Sequence, residues 1–215
     1  AFGAAIAEYE RRGGTFPGGD ARAAKHAYAL ARFHEAEVDF ETFLSVRFPE
    51  GLDFDPAHVA AKATSEKRLN EWFAKKDGLA TAAAGQYLKL VREVKDPAMA
   101  IAGAARIGQI AQTFSDALYT AEIPAFLRPY EEAVELYCGR LETEADKYVD
   151  RSLEAFGACL TAATDFGWFS SWSRLCEREL GQIRPEAFPT AAELRAPPNA
   201  VASVLDVESA IMRVD

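Results

Sequence analysis

Residues Tyr130 to Phe166 run for 37 positions without a proline, and their apolar and small side chains return at three- and four-residue steps. Val134, Tyr137, Leu141, Ala145, Tyr148, Ser152, Ala155 with Phe156, and Cys159 share one side of the helix this spacing predicts. At 1.5 Å per residue such a helix is about 55 Å long, more than a small globule needs and suited to an elongated helical array. The same stretch holds nine acidic residues against three basic ones, so most of the formal net charge of -9 lies along its outer face. A chain built around this element is expected to display a surface rather than to enclose a cleft.

Composition narrows the classes. With 215 residues, 49% of them hydrophobic, the chain can bury the core of one extended domain or two small ones. A pI near 5.0 and the lack of a Lys/Arg stripe argue against nucleic-acid binding, which draws on clustered cations. An acidic face instead suits a basic protein partner. No run of 18 apolar residues occurs, and Ala1 to Ala7 has neither the basic lead nor the length of a signal peptide. A targeting segment ahead of Ala1 stays open, and membrane association is expected only through such an anchor or through a partner.

The punctuation reads as nearly all helix. Phe2 to Arg12 forms a first element, closed by glycines at 13, 14, 18 and 19, with Asp20 placed to cap the next helix, Ala21 to Phe48. Pro49 and Gly51 to Pro56 interrupt it. A further helical region covers Ala57 to about Lys95, and Asp96-Pro97 signals a new start, because Asp caps and Pro fits the first turn. From there to Thr120, Ile101, Ala104, Ala105, Gly108, Ala111, Phe114 and Leu118 make a mostly small face that admits a close neighbour, for which the Tyr130 helix is the candidate. After Gly167 a shorter helix carries Trp172, Leu175, Cys176, Leu180 and Ile183, and Val201 to Val214 adds a short strand or helix.

Chemistry-bearing patterns are sparse. His26 and His34 are eight residues apart on one helix face, about 12 Å along the axis, too far for one metal ion. The histidines, His58 included, read as solvent-facing or locally bonded. Glu131 with Glu135, and Glu142 with Asp146, approach each other on a helix but read as a solvated face. Gly103 and Gly108 lack the rest of a phosphate loop and read as close-packing positions. No serine sits in a nucleophile elbow. Catalytic residues, cofactor and metal are all expected to be absent. Arg106, among small residues, reads as internal, its head reaching a carboxylate on the Tyr130 helix.

Cys138, Cys159 and Cys176 are too few for a disulfide-built fold and lack metal spacing. They read as small buried hydrophobes. For one pair a second reading stays open: Cys159 and Cys176 flank Gly167 at nearly equal distances, so a turn there between antiparallel helices brings them level. A disulfide at that point would favour an extracytoplasmic compartment.

The first elements admit a repeat reading, since tetratricopeptide modules pair two helices over about 34 residues, although Tyr28 to Glu41 contains no break between helices. Residues 84 to 189 carry a resemblance: AGQYLKLVREVKDPAMAIAGAARIGQIAQTFSDALYTAEIP, then the long Tyr130 helix, then DFGWFSSWSRLCERELGQIRPEAFP. These segments resemble the C-terminal region of tetratricopeptide-repeat (TPR) proteins of myxobacteria and their relatives, a group that includes a periplasmic lipoprotein of the gliding-motility machinery. Lys95 to Met99 replaces that group's Gly-Asp-Pro-Glu-Trp-like corner, and Ser171-Trp172 only partly keeps its Asn-Glu-Trp segment.

The resulting expectation is an all-α chain: TPR-like helical elements over residues 1–56, a bundle of long antiparallel helices over 57–189, and a tail over 190–215. The resemblance implies a periplasmic or envelope-associated scaffold that binds other envelope or motility-complex proteins, with a cytoplasmic location still open. The docking residues expected are Glu131, Glu135, Glu142 and Asp146 on the long helix and Trp168, Phe169 and Trp172 at the Gly167 corner, the three aromatics being open also to a core role. A small-ligand-binding helical module is the alternative, marked by a closed apolar pocket.

Overall fold

A computed structural model describes residues 2–18 and 20–189; the expected element over Val201 to Val214 lies outside them. Six helices make up the described part: α1 (Phe2–Arg11), α2 (Asp20–Ser45), α3 (Val59–Lys89), α4 (Pro97–Tyr119), α5 (Glu131–Phe166) and α6 (Ser171–Ile183). Their lengths of 10, 26, 31, 23, 36 and 13 residues show no repeated helix pair. They pack as a bundle around α4.

Each helix is joined to the next by chemistry visible in the chain. Gly13 and Gly14 take positive φ, 58° and 72°, conformations that glycine adopts without strain, and turn α1 back along α2. Stacked rings seal that pair: Tyr9 on Tyr28 at 4.3 Å and Phe2 on His34 at 4.5 Å. Helix α2 ends at Ser45, three residues before the expected Phe48, and its last carbonyls meet a buried ammonium. Lys76 donates to the oxygens of Phe43 and Val46 at 2.7 and 2.9 Å, and burial lowers its pKa. A cation at a helix C-terminus satisfies orphan carbonyls and matches the helix dipole.

Helix α3 does not run on to Lys95. After Lys89 the backbone widens into a π-helical turn, Leu90–Val94, closed by the bond from Lys95 N to Leu90 O. Lys95 sits at φ 54°, a position where glycine would be unstrained. Helix α4 then starts as the sequence indicates, with Pro97 in its first turn and the Asp96 carboxylate accepting from Met99 N at 3.1 Å.

Around α4 the small-residue face is buried as a whole, from Ile101 through Ala104, Ala105, Gly108 and Ala111 to Phe114 and Leu118. Phe156 of α5 fills the space left by Gly108, where a Cβ would lie 2.5 Å from its ring. On the other side Phe33, Phe40, Phe43, Tyr87 and Phe114 pack α2 and α3 against α4. Arg106 is held inside the bundle, as expected, but by a different partner. Its guanidinium binds Glu37 of α2, not a carboxylate of α5, and lies between the rings of Phe40 and Trp172 at 4.5 and 4.7 Å. Tyr87 donates its hydroxyl to the same Glu37, so one carboxylate ties α2 to α3 and α4.

Gly167 at φ 60° ends α5, with Gly167 N bonded to Thr164 O and Trp168 N to Ala163 O. This double bond pattern reverses the chain after a helix. A capping box of Ser170 and Ser173 starts α6, which returns antiparallel along α5. The cysteines stand level and are joined, Cys159 to Cys176, with their Cα atoms 6.5 Å apart. Cys138 is free and exposed, against the reading of all three as buried hydrophobes, because α6 does not reach that far along α5.

Candidate functional site

Helix α5 divides into two halves with different roles. From Ala145 to Ala163 its inner side is buried against α4 and α6. From Glu131 to Glu144 no residue is buried; Val134, Tyr137 and Leu141 are only half covered. The free half keeps its helical form through its own backbone bonds while presenting most of its circumference to solvent.

Glu131, Glu135 and Glu142 on this half and Asp146 just beyond it follow one another at steps of four, seven and four residues, which is one stripe along a helix. All four are exposed. Asp146 accepts a hydrogen bond from Tyr119 of α4 at 3.1 Å; burial first, and then that carboxylate, push the Tyr119 pKa up. Of the two cations nearest the stripe along α5, Lys147 is engaged by Glu144 at 2.7 Å, and Arg140 follows Glu135 by five positions, roughly opposite the stripe on the helix. No group of three or more His, Cys, Asp or Glu side chains suited to a metal ion occurs among the described residues.

The three corner aromatics separate. Trp168 and Phe169 lie in the turn between α5 and α6 and are 43% and 74% exposed. Trp172 belongs to α6 and packs on Arg106 and on Phe33, 5.7 Å between ring centroids, so it is part of the core and not of the corner surface. The stripe and the corner stand at opposite ends of α5, roughly 20 residues or 30 Å apart along the helix, and do not form one contiguous patch.

Of the histidines, His58 is bonded locally, His26 reaches across to the start of α4, and His34 is exposed against the Phe2 ring. His26 Nδ1 lies 3.1 Å from Asp96, and His58 Nδ1 lies 2.8 Å from Asp53. The hydrogen bond to Asp53 raises the pKa of exposed His58, and the Asp55 backbone N–H together with His58 lowers that of Asp53.

A site absent from the sequence reading lies where α4 ends and α5 begins. The α2–α3 connection, the front of α3, the α4–α5 connection and the free half of α5 enclose a cavity of about 620 Å³, open on one side. Phe48, Phe54, Phe73, Phe126 and Tyr137 turn toward it. The signal in the sequence was the aromatic content of the connecting segments, Phe54 and Phe126, which belong to no helical stripe, together with Phe48, which falls beyond the end of α2 rather than on it. Only the fold shows that they meet. Neither family models, nor curated proteins, nor solved structures match this chain.

Proposed function

We propose that this chain is a protein-binding scaffold of a bacterial envelope complex, built from TPR-like helical elements that continue into long helices, with the free half of α5 as its docking surface. The observation that carries this reading is the one-sided acidic stripe on a helical half that buries none of its residues. A fixed line of carboxylates steers a basic partner toward the surface and fixes its register, more through association rate than through affinity. Trp168 and Phe169 supply a second contact point at the far corner, where exposed aromatics contribute short-range affinity. The Cys159–Cys176 bond supports an oxidising compartment such as the periplasm, and the resemblance to envelope repeat proteins, among them a gliding-motility lipoprotein, points the same way.

The test is reversal of the stripe, Glu131→Lys, Glu135→Lys, Glu142→Lys and Asp146→Lys together, measured as association rate over a salt series with a partner cross-linked in native envelopes. Slower association with a flatter salt dependence, in a variant of unchanged helix content, is the expected result. An unchanged rate at every salt concentration removes α5 as the docking surface. The cavity beside Tyr137 favours the second reading, a ligand-binding module, although it is open on one side rather than closed.

A further inference from the structure

We propose that the cavity beside Tyr137 is a binding site for a small hydrophobic cation, an amine or quaternary ammonium carried on an aliphatic or aromatic body. This goes beyond the scaffold reading and does not depend on the acidic stripe.

Size and build come first. About 620 Å³ lies within the roughly 300–1,000 Å³ typical of small-molecule sites. The walls are fixed by bonds made without a ligand. Asp53 N donates to the buried hydroxyl of Ser65 at 2.8 Å, Tyr137 Oη to Glu122 O at 3.2 Å, and Arg128 Nε to Ile123 O at 3.1 Å. Phe48 packs edge-on against buried Trp72 at 4.9 Å. Walls pinned in this way hold the space open, which lowers the ordering cost of binding.

The lining decides the ligand. Its five aromatic side chains are each half-buried, so each leaves ring surface free toward the space. Aromatic faces carry negative quadrupole charge and attract cations, most strongly where water is thinned out. Its ionisable side chains are Asp53, Asp55, Glu122 and His58, with neither lysine nor arginine among the lining residues. Turn bonds and ion pairs occupy part of this charge: Asp53 Oδ1 accepts from Asp55 N and Asp55 Oδ1 from Ala57 N, while Asp53 Oδ2 faces His58 and Glu122 Oε1 pairs with the Arg128 guanidinium, which is not among the lining residues. The second oxygens of Asp55 and Glu122 take no protein hydrogen bond among the described residues, and water or a ligand head can reach them.

Alternatives fail on these groups. A carboxylate or phosphate head would meet three carboxylates, and the cations beside them are already engaged, His58 by Asp53 and Arg128 by Glu122. A neutral apolar ligand would match Leu69, Leu118 and Leu141 but gain nothing from the carboxylates. A cation on an apolar body uses both, its body against the leucines and its head between ring faces and carboxylates.

Three probes with the same body and different heads test this: 4-phenylbutylamine, 4-phenylbutanol and 4-phenylbutyrate, titrated into the protein at pH 7 and followed by amide chemical shifts. The expected result is saturable binding of the amine, with shifts centred on Phe54, Phe126 and Tyr137. The amine should bind at least about fivefold more tightly than the alcohol, and the carboxylate most weakly. In the double variant Asp55→Asn/Glu122→Gln the preference for amine over alcohol should fall toward one while alcohol affinity stays the same. Leu141→Arg, on the half of α5 that buries nothing, should abolish binding of all three with helix content unchanged. Absence of saturable amine binding, equal affinity for amine and alcohol, shifts centred elsewhere, or full preference retained in the double variant would each overturn the proposal. The scaffold reading survives any of these outcomes if stripe reversal still slows partner association.

Discussion

Gly108 offers a sharp test of the packing between α4 and α5, because two effects of known sign oppose each other there. An alanine in a helix interior is favoured over glycine by about 1 kcal/mol, since glycine loses more backbone entropy on folding. At Gly85, within α3, a Cβ would meet no atom within 4 Å, so Gly85→Ala should show this gain alone. At Gly108 the same atom would lie 2.5, 2.6 and 2.8 Å from Cε1, Cδ1 and Cζ of Phe156. The Phe156 ring is fully buried and has no solvent side into which it could withdraw. Overpacking of this kind costs about 1–3 kcal/mol. The difference in stability between Gly108→Ala and Gly85→Ala is therefore expected to be about 1–3 kcal/mol in favour of the α3 variant, and Gly108→Leu should be worse than Gly108→Ala. Urea unfolding followed by helical circular dichroism measures all three, provided the m-values agree with the parent. Shortening the ring with Phe156→Leu should recover part of the loss in the Gly108→Ala background, a favourable coupling in the double-mutant cycle. Equal effects of alanine at positions 85 and 108 would refute the argument that Phe156 occupies the space beside Gly108.

Three further outcomes are open to measurement. Replacing both Cys159 and Cys176 by alanine removes a cross-link spanning 17 residues and should cost about 3 kcal/mol on the chain-entropy account, with peptide mapping of the oxidised parent recovering this pair and leaving Cys138 free. Tyr87 is fully buried, and burial first, then its bond to Glu37, raise its pKa above the ordinary value; above about pH 10 the unfolded chain releases that proton while the folded one keeps it, so stability should fall by about 1.4 kcal/mol per pH unit. Tyr87→Phe should lack this component, and equal alkaline slopes in parent and variant would count against the buried phenol. Asp96→Ala removes the cap of α4 and should cost about 1 kcal/mol, read as faster amide exchange at Met99 than at Ala111.

Local signals and long-range meetings differed sharply in how far the sequence exposed them. The Asp96-Pro97 start, the Gly167 stop and the buried Ala104, Gly108 and Ala111 seam were readable because each rests on a rule spanning one helical turn or one cap. The π-helical turn at Leu90–Val94 was not, since nothing in LVREV departs from an ordinary helix-forming run. Arg106 shows the same limit. Its burial followed from small neighbours at 105 and from helical spacing, but the choice of Glu37, 69 residues away, depends on α2 crossing α4, which no spacing within α4 encodes. The corner aromatics divided for a related reason: Trp168 and Trp172 are one turn apart by number, yet the reversal at Gly167 places only Trp172 on a helix facing Arg106. The end cavity is the extreme case. Its rings come from two connections and two helices, and connections lack the periodicity that marks a buried face. Sequence reasoning of this kind finds faces along single elements; a site made where the ends of several elements converge becomes visible only when the elements are packed. For this chain the acidic stripe is a property of one helix and the cation cavity a property of the whole bundle. Reversing the stripe should therefore leave binding of the neutral alcohol intact, and plugging the cavity with Leu141→Arg should leave the carboxylate line in place.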